Sequence, residues 1–350
     1  MKGVLIGVII VLAVLGTLVF AVNQRGWKRN GYFTIPATIL IVIGIFIGFQ
    51  ALGAILTLIM NGGKLDGAEG LGALAMNGVA QLIVMLAGAL FLSLAARQNP
   101  FAVFRLEGIR ETPVVAYLLA IPLILLAQAV GIAISSLWIR LFEFFPGFYS
   151  TIDKFETAGD TQLQSMVTAH GPLQFVVILL LVAIVPALAE ETLFRGFAQS
   201  NIERSGHGHA RPMVALVVAS LLFAAIHGSL FKLPGLLALG LALGWMAYRT
   251  NNLFVGSVGH AINNGVIVFE LFLNPGTSSA SANSVVVGNT NLSGTQSLLL
   301  LGVTAPILGL LLYLFARATA HTVSRYNSEL EIESLHGPLP FTHDNHDASQ

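Results

Sequence analysis

Residues 173–202 read LQFVVILLLVAIVPALAEETLFRGFAQSNI. The first half is an aliphatic run of the kind that crosses a bilayer, which takes about 20 residues at about 1.5 Å each. The second half sets Glu190, Glu191 and Arg195 into the same run. A charge in hydrocarbon costs a few kcal/mol or more, so such groups are kept where they face a cavity or a partner. The stretch therefore predicts a membrane helix carrying a polar site. Two questions follow: how many such helices there are, and what meets the charges.

The whole chain resembles this stretch. Of 350 residues, 55% are hydrophobic and 10% charged, where a soluble domain is nearer a quarter charged. Mean hydropathy is +0.81. Apolar stretches recur near 4–22, 34–59, 71–96, 114–138, 173–202, 212–228, 233–249, 253–273 and 297–316. The fold class is all-α: a polytopic transmembrane helical bundle of about nine spans. The first run is too long for an ordinary signal peptide and is followed by the basic NQRGWKRN, so it reads as a retained helix. The absence of cysteine excludes disulfides, thiolate metal sites and a cysteine nucleophile. Zero net charge offers no basic surface for nucleic acid.

Lysine and arginine orient the spans. With the N-terminus outside, twelve of the 17 basic residues fall on the cytoplasmic side, among them Arg105, Arg204, Arg249 and Arg325. The other five are Lys2, Lys64, Arg140, Lys154 and Lys232. The C-terminus is then cytoplasmic, in what reads as a bacterial inner membrane. Residues 144–171 and 274–296 read as mobile external covers. The end of the chain, from about 326, lacks periodicity and reads as disordered. Its His336, His343 and His346 fit a solvated tail better than a chelate. Small residues at four-residue spacing, Gly44/Gly48 and Gly240/Gly244, predict close helix packing.

Only His227 and His260 among nine histidines, and Glu190, Glu191 and Glu270 among 17 acids, fall inside spans. Glu270 lies near the outer end of its helix and can reach headgroups. Glu191 and Arg195 are four apart and share a face, while Glu190 is turned by about 100°. One carboxylate can hold the arginine while the other points into a cavity. Phe223 and His227 repeat the four-residue spacing, as do His260 and Asn264. Counted from the cytoplasmic loops, Glu190, His227 and Asn264 lie roughly 20, 24 and 16 Å deep. Three helices thus bring polar groups to overlapping depth. A buried polar knot is the structural reading; a reaction site is the chemical one.

The chemistry these residues suit is hydrolysis of a peptide bond. A carboxylate in an apolar pocket is a better base near neutral pH. Glu190 and His227 would activate a water, and His260 and Asn264 would donate hydrogen bonds to the tetrahedral oxyanion. Arg195 would pair with Glu191 and fix the helix. Glu190, His227 and His260 also supply the O, N and N donors of a zinc site with an open position. The H-E-x-x-H signature is absent, and both a Zn2+-bound and a metal-free water stay open.

These residues resemble a known family. EETLFR matches E-E-x-x-x-R, FAAIH matches F-x-x-x-H, and HAINN matches H-x-x-x-N through His260 and Asn264. The stretch GLALGWMAYRTNNLFVGSVGHAINN is similar to the family's third block. The family is the CAAX protease and bacteriocin-processing group of intramembrane proteases, including the Abi and lysostaphin-resistance-A-like proteins. The resemblance implies that Glu190 and His227 activate the water, that His260 and Asn264 form the oxyanion site, and that Glu191 and Arg195 fill the other invariant positions. It also implies a peptide or protein substrate at the membrane, among lipids. The family is described both as metallo- and as glutamate-type peptidases. The chain divides into N-terminal helices and an external loop (1–169), a catalytic core (170–275), an external loop and last span (276–317), and a disordered cytoplasmic tail (318–350). The rival readings are a non-catalytic immunity or scaffold membrane protein and a proton-coupled transporter, since intramembrane Glu and His also serve proton relays.

Overall fold

A computed structural model describes residues 24–62, 70–169, 171–206, 210–273 and 292–336, together with Gly16. The expected helix over 4–22 lies outside them, as do most of the 274–296 loop and the end of the tail. The other eight apolar stretches are helical. In chain order they are α1 (Ile35–Met60), α2 (Leu71–Ala95), α3 (Val114–Phe142), α5 (Pro172–Arg204), α6 (Arg211–Ile226), α7 (Leu233–Thr250), α8 (Leu253–Leu273) and α9 (Gly294–Ala318). Among the described residues, α1, α2, α3, α5 and α9 are long and apolar enough to cross a membrane by length and composition. The helices α7 and α8 are shorter, at 18 and 21 residues, and carry polar residues such as Arg249, His260, Asn263 and Asn264. Strand structure is a two-residue antiparallel ribbon, Lys28–Arg29 against Tyr32–Phe33. Its turn is Asn30-Gly31, both at positive φ, the pair a tight hairpin favours.

Two expectations are corrected. Residues 144–171, read as a mobile loop, hold the helix α4 (Pro146–Val167). Its weak apolar content hid it, and polar contacts help to order it: Glu156 accepts from Ser229 and from the Phe231 amide, and Asp160 pairs with Lys232. The tail, read as disordered from 318, is helical as α10 (Ala320–His336). Tyr326 and Glu333 are its buried anchors. Both reach groups far away in sequence, which a local reading does not see.

The helices cross where side chains are small. Without a Cβ on either residue, Gly131 of α3 meets Gly235 of α7; a Cβ on Gly131 would stand 2.9 Å from the Gly235 Cα. The Ser135 hydroxyl accepts from the Gly235 amide at the same crossing. Gly240 and Gly244 let α7 approach Ser220 and Phe223 of α6 and Gln199 of α5, as the small-residue spacing predicts. The result places α5 among α2, α6, α7 and α8, with α3 packed against α7, α8 and α9.

Basic groups separate toward two ends. One end holds Arg105, Arg204 and Arg249 in contact with Glu203, Glu333 and Thr319. The other holds Arg140, which donates to the Leu292 carbonyl, and Lys232 on Asp160.

Candidate active site

Helix α5 is irregular where it matters. Pro186 lacks the N–H that would bond the carbonyl four residues back, that of Val182. The Asn264 Nδ2 of α8 donates to that oxygen at 3.2 Å. A proline defect in one helix thus fixes a polar side chain of another. Further along, Thr192–Gln199 widens into π turns, a feature frequent at functional sites. The Arg195 carbonyl within them accepts from Arg105 Nε at 2.8 Å.

Glu191 is fully buried and serves two partners. Its Oε1 lies 3.1 Å from Arg195 Nη1 and 3.0 Å from His260 Nδ1. The pairing with Arg195 follows from the helical spacing; the pairing with His260 is a contact across 69 residues that spacing does not reveal. Gly256 makes room for this carboxylate, since a Cβ there would stand 3.0 Å from Glu191 Oε2. Arg195 is held further by the Gly240 carbonyl at 3.3 Å and by the Phe223 ring, 4.5 Å from its Cζ. That ring also meets both imidazoles edge-on, His227 at 4.7 Å and His260 at 5.9 Å between centroids.

Glu190 points elsewhere. It lines a cavity of about 660 Å3 together with His227, His260, Asn263 and Asn264, and its Oε2 is buried without a hydrogen-bond partner. His227 is exposed toward this space. Its Nδ1 lies 2.7 Å from the Phe223 carbonyl. A carbonyl only accepts, so Nδ1 carries the proton and Nε2 is left with its lone pair. His260 is buried apart from the cavity wall, with Nδ1 donating to Glu191.

All six residues singled out in the sequence therefore fall in one region. Glu190, His227, His260 and Asn264 line the cavity, while Glu191 and Arg195 stand behind it. Asn263, Glu156, Asp160 and Lys232 also line it, and the sequence does not single them out as site residues. Asn263 adjoins the motif. The other three lie on α4 and the loop after α6, where no spacing rule connects them. Among the described residues, no three His, Asp or Glu side chains are grouped so as to hold a metal ion.

Residues 172–266 match the family model described as type II CAAX prenyl endopeptidase Rce1-like. Over that segment the chain is similar to that family. The match contains Glu190, Glu191, Arg195, His227, His260 and Asn264, and it runs from the start of α5 into α8. No curated protein and no solved structure matches the chain. The apolar helices make this an integral membrane protein, and its segment 172–266 is similar to the CAAX-type prenyl endopeptidases. Residues before 172 and after 266 lie outside the match, although Arg105, Glu156, Tyr326 and Glu333 all bear on the core.

Proposed function

We propose that the chain is an endopeptidase that hydrolyses a peptide bond in the cavity bounded by α5, α6 and α8. The observation that carries the reading is the convergence of Glu190, His227, His260 and Asn264, all within the matched segment, on one cavity. A water between the Glu190 carboxylate and His227 Nε2 loses a proton to Glu190 as its oxygen attacks the carbonyl carbon. The oxygen of the tetrahedral intermediate accepts from Asn264, whose amide keeps one N–H beyond the one given to Val182. His260, oriented by its Nδ1 bond to Glu191, is the second group facing that oxygen. Glu190 then passes its proton to the leaving nitrogen and the C–N bond breaks. Glu191 and Arg195 position the imidazole and the helix. By the excess of basic residues, the end with Arg105, Arg204 and Arg249 faces the cytoplasm, with the C-terminus on that side.

The test is a peptide-library cleavage assay on the purified full chain, with and without chelator, alongside metal analysis. Wild type is expected to cut a defined subset of peptides, and Glu190→Ala, His227→Ala and His260→Ala to abolish cutting while the proteins insert and melt cooperatively. Cleavage at the wild-type rate by Glu190→Ala overturns the reading. Loss of cleavage on chelation, restored by zinc, assigns the water to a metal instead. A cellular role that survives loss of Glu190 favours a scaffold.

A further inference from the structure

The cavity has a second polar pole, away from the groups assigned to the reaction. It is built by α4 and by the loop that follows α6. Glu156 and Asp160 lie one helical turn apart on α4, and both line the cavity, as does Lys232. Glu156 accepts from two neutral donors, Ser229 Oγ at 2.7 Å and the Phe231 amide at 3.2 Å. Neither brings a charge to balance its own, and each oxygen keeps acceptor capacity. Asp160 is 94% buried, and its Oδ1 takes the Lys232 ammonium. Its Oδ2 is buried with no partner, a vacancy that a buried carboxylate seldom keeps. Counting Glu190, three carboxylates and one ammonium line the cavity. The apolar remainder, including Ile152, Phe155, Leu163 and Leu236, lowers the local dielectric and focuses the excess negative potential.

We propose that this pole is a cation subsite: Asp160, with Glu156 beside it, receives a lysine or arginine side chain, or the amino terminus, of the peptide being cut. The inference rests on the peptidase reading for its substrate, but not for its ligand chemistry. A free carboxylate of the substrate is disfavoured there, because the single ammonium is already paired and the balance of charge is acidic. The subsite's two carboxylates lie on α4, outside the matched segment, so it would give this chain a preference of its own.

The experiment has two arms. In the first, the cleavable peptides are remade with lysine, norleucine or glutamate at each position, and the ratio of kcat/KM for the lysine and norleucine forms is read. Wild type is expected to favour lysine by about ten- to hundredfold at one position, the yield of a charge-assisted hydrogen bond. Asp160→Asn should bring the ratio near one and Lys232→Met should raise it. Because each ratio is taken within one variant, partial unfolding cancels. The second arm needs no cleavage: n-butylammonium is titrated against the full chain and thermal stabilisation is followed. Stabilisation is expected in wild type and in Glu190→Gln, and is expected to vanish in Asp160→Asn. A lysine-to-norleucine ratio near one in wild type overturns the proposal, as does a glutamate preference. So does amine binding that disappears with Glu190→Gln, which would place the cation on the reaction carboxylate. If no peptide is cut but the amine still binds through Asp160, the peptidase reading fails and the subsite stands.

Discussion

Two clusters of charge are built into this apolar chain, and they are satisfied to different degrees. At one end Arg105 pairs with Glu203 at 2.6 Å, and Gln199 donates to the other oxygen at 2.9 Å. Tyr326 of α10 donates to the same carboxylate. Beside it Arg204 pairs with Glu333 at 2.5 Å, and Tyr32 donates to Glu333 at 3.2 Å. Burial pushes the Tyr326 phenol well above its usual range, so it remains a donor. Both carboxylates of this cluster have each oxygen engaged. In the cavity, by contrast, Glu190 Oε2 and Asp160 Oδ2 have no partner and His227 offers a bare Nε2. Polar groups that satisfy one another hold a fold together. Polar groups left unsatisfied at the wall of a cavity are open to a ligand.

The contrast is broken most directly by exchanging the kind of loss each cluster suffers. Glu190→Ala is expected to lower kcat/KM by about 10²- to 10⁴-fold or more with little change in melting temperature, measured by cleavage at matched folded concentration. Glu203→Ala strands the Arg105 guanidinium in a fully buried site. A loss of roughly 3–5 kcal/mol of stability is expected, read by denaturant or thermal melting, and whatever protein remains folded should keep its cleavage rate. Asn264→Ala sits between the two. It removes an oxyanion donor, for about 10²- to 10³-fold in kcat, and it also frees the Val182 carbonyl, so a modest fall in melting temperature should accompany the loss. Tyr326→Phe, the smallest of these changes, removes one donor from Glu203 for about 1–3 kcal/mol. Wild type should also lose stability as pH rises above about 10, where the unfolded phenol ionises first, and Tyr326→Phe should flatten that slope.

Much of the fold is legible in the sequence, because long aliphatic runs permit few structures in a bilayer. Eight of the nine expected stretches coincide with helices to within a few residues. The crossing of α6 and α7 at Gly240 and Gly244 follows from small residues at four-residue spacing. The site is legible for a related reason: an ionisable side chain such as Glu190 or His227 stands out against that background, and helical periodicity says which ones share a face. What stays hidden is set by long-range partners. Nothing local in PGFYSTIDKFETAGDTQLQSMV announces that Glu156 and Asp160 will find Ser229, Phe231 and Lys232. The order of α10 likewise depends on Glu203 and Arg204, more than 100 residues earlier. The bond from His260 to Glu191 has the same character, and it turns two separate motifs into one unit.

The central claim is that the carboxylate lining the cavity, Glu190, and not its neighbour Glu191, does the chemistry. It is tested most directly by measuring cleavage and melting temperature side by side for Glu190→Gln and Glu191→Gln. The account predicts that Glu190→Gln melts like wild type and does not cleave. It predicts that Glu191→Gln, which weakens the hold on Arg195 and His260, melts lower. A Glu190→Gln protein that cleaves at the wild-type rate, or that fails to fold while Glu191→Gln is unaffected, would contradict it.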